Sequence, residues 1–495
     1  MDKRRIDEYI DAHQSTFTEI SDKIWGFAEM RFREHQSAAL LAGFLEQEGF
    51  QVQREVADIN TAFMATFGID GPIIGILGEF DALAGMSQKS GITKKEPLVP
   101  GGNGHGCGHN MLGTASLAAA VAVKRFIEDN KLRGTIRYYG CPGEEGGSGK
   151  AFMAREGVFD DLDVALSWHP FSFNGTMSVN TLANYQVYYR FHGQSAHAAA
   201  SPHLGRSALD AVELMNVGVN YLREHIIPEA RVHYAITDTG GSSPNVVQPN
   251  AEVLYLMRAP QLNQVQEIYE RICNIAQGAA LMSGTECEIV FDKACSNCIP
   301  NMTLEKVMHA NFQAVGTPVF DDYDRQFAHE IRSTLSQKDI DSDLAMGASF
   351  MGGQRPDIIA ELKEKELCEI ILPYVHAATL LPGSTDVGDV SRIAPTAQAI
   401  VACQAIGTPG HSWQTVSQGA TGLAHKGMIV AQQIGRRLYC MPYRPGAQRD
   451  DCSSKSNCEN GGRCINESGI CGTSQGGIER EARRCGLRIS YSGCD

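Results

Sequence analysis

The sequence predicts an α/β protein whose main domain is made of two chain segments, with a smaller α+β domain inserted between them. Three observations carry this. Strand-like and helix-like stretches alternate over residues 72–169, the pattern of an α/β layer with a mostly parallel sheet. The texture changes near residue 182, where alternating strands and amphipathic helices take over. After Pro300 the α/β texture resumes. At 495 residues the chain exceeds what one ordinary core organises, so more than one domain is expected. The expected boundaries are 1–181 and 300–440 for the main domain, 182–299 for the insert, and 441–495 for a tail.

The first helix is read over residues 6–27 from Ile6, Tyr9, Ile10, Phe17, Ile20, Ile24 and Phe27 at helical spacing, and a second over 36–48, closed by Gly49. "PIIGILGEF" (72–80) is a buried strand and 110–129 a long apolar helix. "TIRYYGC" (135–141) is a strand, "SGKAFMARE" (148–156) a helix and "LDVALSWH" (162–169) a strand. In the insert, "YQVYYRFHG" (185–193) alternates like a half-buried strand, followed by a helix over 205–224 and strand-like "VHYAIT" (232–237). "AEVLYLMRA" (251–259) is a strand, and a helix over 262–282 carries Val265, Ile268, Ile272, Ile275 and Ala279 in register. The main domain ends in a helix near 425–438.

Composition narrows the function classes. The net charge of −14 argues against a nucleic-acid or anionic-membrane partner. The N-terminus lacks an apolar stretch of signal-peptide length, and no run of about 18 apolar residues occurs. A soluble, cytoplasmic protein is therefore expected. Of the fifteen cysteines, nine are scattered over residues 1–440, which suits a reducing compartment. Six crowd the last 55 residues (Cys452, Cys458, Cys464, Cys471, Cys485 and Cys494), a density that belongs to disulfide or metal modules. The stretch "DDCSSKSNCENGGRCINESGIC" resembles the first half of an epidermal-growth-factor-like module, but the C-x-C that should follow is missing. With little apolar material for a core, the tail is read as an extension of unknown role.

Chemistry-bearing side chains gather where strands end and loops begin: Glu79 and Asp81, Cys107 and His109 in "GHGCGHNMLG", Glu144 and Glu145 in "CPGEEGGSG", and His169 in "SWHP". In open α/β sheets, ligands bind beyond the carboxyl ends of the strands. These loops would deliver a thiol, imidazoles and carboxylates to one crevice, and His411 in "GTPGHSW" could join from the second segment. Each residue alone has a plain structural reading: a buried thiol, a solvated helix start, a strand cap. As a nucleophile, Cys107 would need a base and an oxyanion hole, and the neighbouring carboxylates would raise rather than lower its pKa. The only C-x-x-C, Cys295 to Cys298, lies at the end of the insert and is read as structural. Arg258 ends an apolar strand on the face of Leu254 and Leu256, either as a snorkelling side chain or as a planar carboxylate clamp.

The stretches "GEFDALAG", "GGNGHGCGHN", "YGCPGEEGGSGKAFM", "WHP", "SAHAAASPHLGRSALDAV", "SPNVVQPNAEVLYLMRAP", "GSTDVGDVS" and "GTPGHSWQ" occur in that order along residues 1–438. Together they resemble the amidohydrolase branch of the M20 metallopeptidase family. The resemblance implies a two-segment metallopeptidase catalytic domain with an inserted lid and dimerisation domain, and two divalent metal ions, zinc or manganese. Cys107, His109, Glu145, His169 and His411 would be the metal ligands, with Cys107 bridging in the place of an aspartate found elsewhere in the family. Glu144 would be the general base, and Glu79 the acidic residue that orients a ligating histidine. His197 would reach a neighbouring active site and stabilise the oxyanion. Asn245 and Arg258 would hold the substrate carboxylate, while Ser384, Asp386 and Asp389 would line the site or the layer behind it, Ser384 and Asp386 as further substrate contacts.

The activity implied is hydrolysis of the amide bond of a small N-acyl amino acid, with p-aminobenzoyl-glutamate the best single candidate. A dipeptidase or aminoacylase of the same family is the alternative within that class. A catalytically silent binding subunit, and an extracellular adhesion module suggested by the tail, are the alternatives outside it. The implied assembly is a homodimer through the insert, with a heteromeric partner of the same family also compatible.

Overall fold

The computed structural model describes residues 12–377 and 379–439. Residues 6–11 of the expected first helix, and the cysteine-rich tail, lie outside the described residues. The chain opens with α1 (Gln14–Phe27) and α2 (His35–Gln47), then β1 (Gln51–Arg54), β2 (Phe63–Phe67) and β3 (Ile73–Glu79). Next come α3 (His109–Asn130), β4 (Thr135–Cys141), α4 (Gly149–Arg155), β5 (Val164–Phe171) and β6 (Gly175–Met177).

These strands and β11 (Thr396–Ala402) form a seven-stranded sheet in the order β1-β2-β4-β3-β5-β11-β6. The four inner strands β4, β3, β5 and β11 are parallel, but β1, β2 and β6 pair antiparallel at the margins. The sheet is therefore more mixed than the sequence suggests. A parallel return needs a crossover of about a dozen residues or more, and the links after β1 and β5 are too short for one.

Helix α3 lies on this sheet, packed against β3 on one side and against α1 and α13 (Gly422–Tyr439) on the other. Nearly all its residues are buried, and the small side chains Ala115, Ala118, Ala119, Ala120 and Ala122 admit that close packing. Leu112, Leu117 and Val121 join Phe17, Ile24, Leu41, Phe80, Ile136 and Val401 in the main core. Burial of each large side chain contributes about 1.5–3 kcal/mol. This holds the start of α3, and with it Cys107 and His109, against the strand ends.

Residues 183–295 build a second sheet from β7 (Ala183–His192), β8 (Arg231–Asp238), β9 (Asn250–Ala259) and β10 (Glu286–Cys295), in the antiparallel order β10-β7-β9-β8. Helices α5 (Ala208–Leu222) and α6 (Leu262–Ser283) cover one face, burying Tyr185, Val187, Tyr189, Val253, Tyr255 and Met257. β8 is an open edge. β10 was not legible in the sequence because its alternation is broken by a bulge between Phe291 and Lys293.

The second segment opens with four helices: α7 (Met302–Val315), α8 (Asp322–Arg332), α9 (Gln337–Phe350) and α10 (Pro356–Lys363). Capping boxes at Asp321/Asp324 and Ser336/Asp339 start α8 and α9. The short helices α11 (Val387–Ser391) and α12 (Trp413–Gln418) flank β11.

Candidate metal centre

The parallel strands deliver their carboxyl ends to one crevice. β3 ends at Glu79, with Asp81 just beyond it. β4 runs into the loop carrying Glu144 and Glu145, β5 carries His169, and the loop after β11 carries His411. Cys107 and His109 arrive with the first turn of α3. Gly108 sits at φ +74°, and a Cβ there would stand 2.7 Å from Pro170 Cγ. A side chain at Gly104 would meet the Met86 carbonyl at 2.3 Å. Glycine is thus required for the turn that aims both donors inward. His411 itself is left-handed at φ +55°, and its N–H donates to the Gly106 carbonyl at 3.0 Å, joining the two segments beside the site.

The histidines are set for coordination. His109 Nδ1 lies 2.9 Å from Asp81 Oδ1, and His169 Nδ1 lies 2.7 Å from its acceptor, the Pro170 carbonyl. Each ring therefore carries its proton on Nδ1 and presents the Nε2 lone pair. Nε2 of His109 makes no hydrogen bond although buried, and Nε2 of His169 stands 3.5 Å from Cys107 Sγ. His411 Nε2 is 3.0 Å from Glu145 Oε1.

Two donor groups emerge with donor atoms within 4.8 Å of one another, Cys107–His109–His169 and Cys107–Glu145–His411, and both contain Cys107. A third, Glu79–His109–Glu144, adjoins them. A thiol, imidazoles and carboxylates at this spacing fit divalent ions. The charge distribution agrees: Glu79, Glu144 and Asp386 converge around one fully buried lysine, Lys150. Burial, reinforced by Glu145, pushes the Cys107 thiol well above its ordinary pKa. Burial followed by the charges of Glu79, Asp386 and Glu145 does the same to Glu144.

Asp81, not Glu79, orients His109. The second Asp81 oxygen accepts from the Glu145 N–H at 2.9 Å, so one carboxylate ties together two donor loops. Glu79 instead approaches the coordinating side of the ring, its Oε2 at 3.3 Å from Nε2, while its Oε1 is 2.6 Å from Lys150 Nζ. The expectation for Asp386 also changes. Its Oδ1 accepts from Lys150 Nζ at 2.6 Å and its Oδ2 from the Lys150 N–H at 2.9 Å, so it serves as a counter-ion rather than a free substrate contact. Asp389 is likewise engaged, by Ser296. Behind the glutamate loop, buried Glu34 accepts from the Gly143 N–H and from Thr61 Oγ1, both at 2.9 Å. Burial, with Asp81 adding to it, pushes the Glu34 carboxyl up to about 8. His105 takes no part; its Nε2 faces the Ile24 carbonyl at 3.0 Å.

A cavity of about 570 Å³ opens over Cys107, Glu144, Glu145, His169 and His411 and reaches Arg258 and Ser384. A second cavity of about 310 Å³ shares Cys107, His169, Met346 and His411 and adds Met111 and Asp343. Ser384 Oγ and Arg258 Nε are buried without hydrogen-bond partners among the described residues. His197 and Asn245 are elsewhere: both are exposed, beside each other on the second unit, and neither lines these cavities. Sequence reasoning did not single out Lys150 or Lys293. The "GSGK" following the glutamate pair was the available signal for the former.

Fold and donor set together define a metal-dependent hydrolase of amide or peptide bonds. Residues 75–362 match the family model described as Peptidase family M20/M25/M40, and the chain belongs to that family. It is 54% identical over 429 residues to one of the subunits of the p-aminobenzoyl-glutamate hydrolase of Escherichia coli (strain K12), covering 86% of this chain and 89% of the relative. It is 30% identical over 328 residues to Xaa-Arg dipeptidase of Mus musculus, covering 63% of this chain and 72% of the relative. Among solved structures, the aminobenzoyl-glutamate utilization protein from Klebsiella pneumoniae shares the fold, with a TM-score of 0.60 at 18% identity, over 89% of this chain and 99% of that one.

Proposed function

We propose that this chain hydrolyses the amide bond of an N-acyl amino acid, p-aminobenzoyl-glutamate being the leading candidate, with two divalent ions held around Cys107. The observation that carries the reading is the membership of Cys107 in both donor groups, which suits one thiolate shared by two ions. His109 and His169 would hold one ion, Glu145 and His411 the other. Zinc suits the thiolate and imidazoles, and manganese suits the carboxylates. Bound there, the ions supply Lewis acidity that polarises the amide carbonyl and acidifies a water. Glu144 takes the proton of the attacking water and passes it to the leaving nitrogen. Asp81 and the Pro170 carbonyl keep the imidazoles in the coordinating tautomer. Arg258 holds the substrate carboxylate in the larger cavity, and the acyl group occupies the smaller, largely apolar one.

The choice of substrate is supported by the E. coli relative and by Arg258, whose Nε has no hydrogen bond among the described residues. An assay of the metal-loaded enzyme on a panel of N-acyl amino acids tests it. Arg258→Ala is expected to lower kcat/KM roughly 10- to 100-fold on these amides. Equal loss on amides lacking the carboxylate contradicts the clamp.

We also read residues 182–299 as a lid through which two copies pair. The open edge of β8, exposed Val217 and Tyr221 on α5, and exposed Tyr234 and Ile236 on β8 support this. His197 and Asn245 would then complete the neighbouring site. Mixed His197→Ala and Glu144→Gln chains, each inactive alone, should regain activity when the two chains exchange partners. No recovery after proven exchange contradicts the pairing. Because the E. coli relative is itself one component of a larger hydrolase, a related chain is the second reading for the partner. A cytoplasmic location fits the eight free cysteines among the described residues. No described helix is long and apolar enough to cross a membrane.

A further inference from the structure

Lys293 is a nearly buried lysine, 8% exposed, on the cavity side of the second sheet. Its Nζ donates to Ser148 Oγ at 3.1 Å, and among the described residues no carboxylate lies within salt-bridge distance of it. A buried ammonium without an anion is costly, and the usual remedy is pairing. Arg258 lines the same cavity and likewise has no ion pair among the described residues.

The backbone places Lys293 there by a specific device. Phe291 lies opposite Val187 of β7 and packs on the helix-covered side with it. In a regular strand Lys293, two residues on, would point the same way. The bulge at Asp292 shifts the register, so that Lys293 lies opposite Gln186 on the other face. On that face, Arg258 lies opposite Asn184, and Asn184 opposite Cys295. All these side chains line the cavity over the metal donors. One sheet face thus presents two separated cations to one pocket.

We propose that Lys293 is a specificity residue that receives the side-chain carboxylate of a dicarboxylic amino acid, while Arg258 receives its α-carboxylate. The proposal rests on the amidohydrolase reading above and narrows its substrate class to amides of glutamate or aspartate. Ser148, at the mouth of α4, steadies the ammonium and leaves its remaining N–H bonds for the ligand.

The test measures kcat/KM of the metal-loaded enzyme on p-aminobenzoyl-L-glutamate and p-aminobenzoyl-L-glutamine, for the parent, Lys293→Gln and Lys293→Arg. The parent should prefer the glutamate amide at least about tenfold. Lys293→Gln should lose roughly 10- to 100-fold on the glutamate amide, the range for a hydrogen bond to a charged group, with a loss of less than about threefold on the glutamine amide. Lys293→Arg should retain most of the preference. Equal losses on both amides, or no preference in the parent, overturn the proposal and leave Lys293 as a structural tie to Ser148. Should Lys293→Gln fail to fold, Lys293→Met supplies the same comparison, with selective loss on the glutamate amide expected and equal losses overturning the proposal. If the parent cleaves neither amide, the amidohydrolase reading fails, and calorimetric binding of L-glutamate against L-glutamine decides the cation site separately. Glutamate binding that Lys293→Arg preserves and glutamine does not match supports it; equal or absent binding overturns it.

Discussion

Glu144→Gln is expected to lower kcat by roughly 10²–10⁴-fold, the range typical of a positioned general base. That loss corresponds to about 3–5 kcal/mol of transition-state stabilisation. The substitution keeps the size of the side chain and removes only its ability to carry the proton between water and leaving nitrogen. Glu144 lies in the donor group with Glu79 and His109, yet the two groups that share Cys107 do not include it. The variant should therefore bind the same number of ions as the parent and melt at a similar temperature. Activity within a few-fold of the parent would remove the general-base assignment. Loss of metal along with activity would make Glu144 a ligand instead.

Cys107→Ala should have an effect of the same order on activity by a different route. If one thiolate serves both donor groups, its removal weakens two sites at once. The variant should lose both ions under dialysis that leaves the parent with two. The Lewis acidity lost with them is worth several kcal/mol, or a fall of roughly 10³-fold or more. Removal of a thiol that served one site only would leave one ion tightly held. Folding should survive, because the first turn of α3 is anchored by buried Met111, Leu112 and Ala115 and by the Asn110 side chain on the Gly419 carbonyl.

The donor residues were legible because their types and places are both distinctive. Cys107, His109, Glu144, Glu145, His169 and His411 stand where inner strands end or the helix after them begins, and a parallel sheet sends those ends to one side. The roles of their neighbours were less legible. Glu79 and Asp81 alternate in the same direction, so sequence cannot tell which carboxylate meets Nδ1 of His109; the structure gives it to Asp81. Lys150 reads as an ordinary lysine in a helix, and only the packing of α4 reveals that it neutralises Glu79 and Asp386. Lys293 was hidden by the bulge that re-aims it, since period-two reasoning places it with Phe291. The marginal strands β1, β2 and β6 were not read from the sequence because they are short, three to five residues each. His197 and Asn245 were singled out from motif likeness. Their exposure on the second unit is what a role toward another chain requires, and the complementation experiment addresses it.

The account turns on one thiolate shared between two metal sites. X-ray absorption spectroscopy of the protein loaded with two zinc ions per chain tests this most directly. A sulfur shell at about 2.3 Å with an average of one sulfur per zinc, together with a metal–metal vector near 3.5–4 Å, is the expected result. The sulfur shell should vanish in Cys107→Ala. A parent spectrum with only nitrogen and oxygen neighbours, or half a sulfur per zinc and no metal–metal vector, would contradict the shared thiolate.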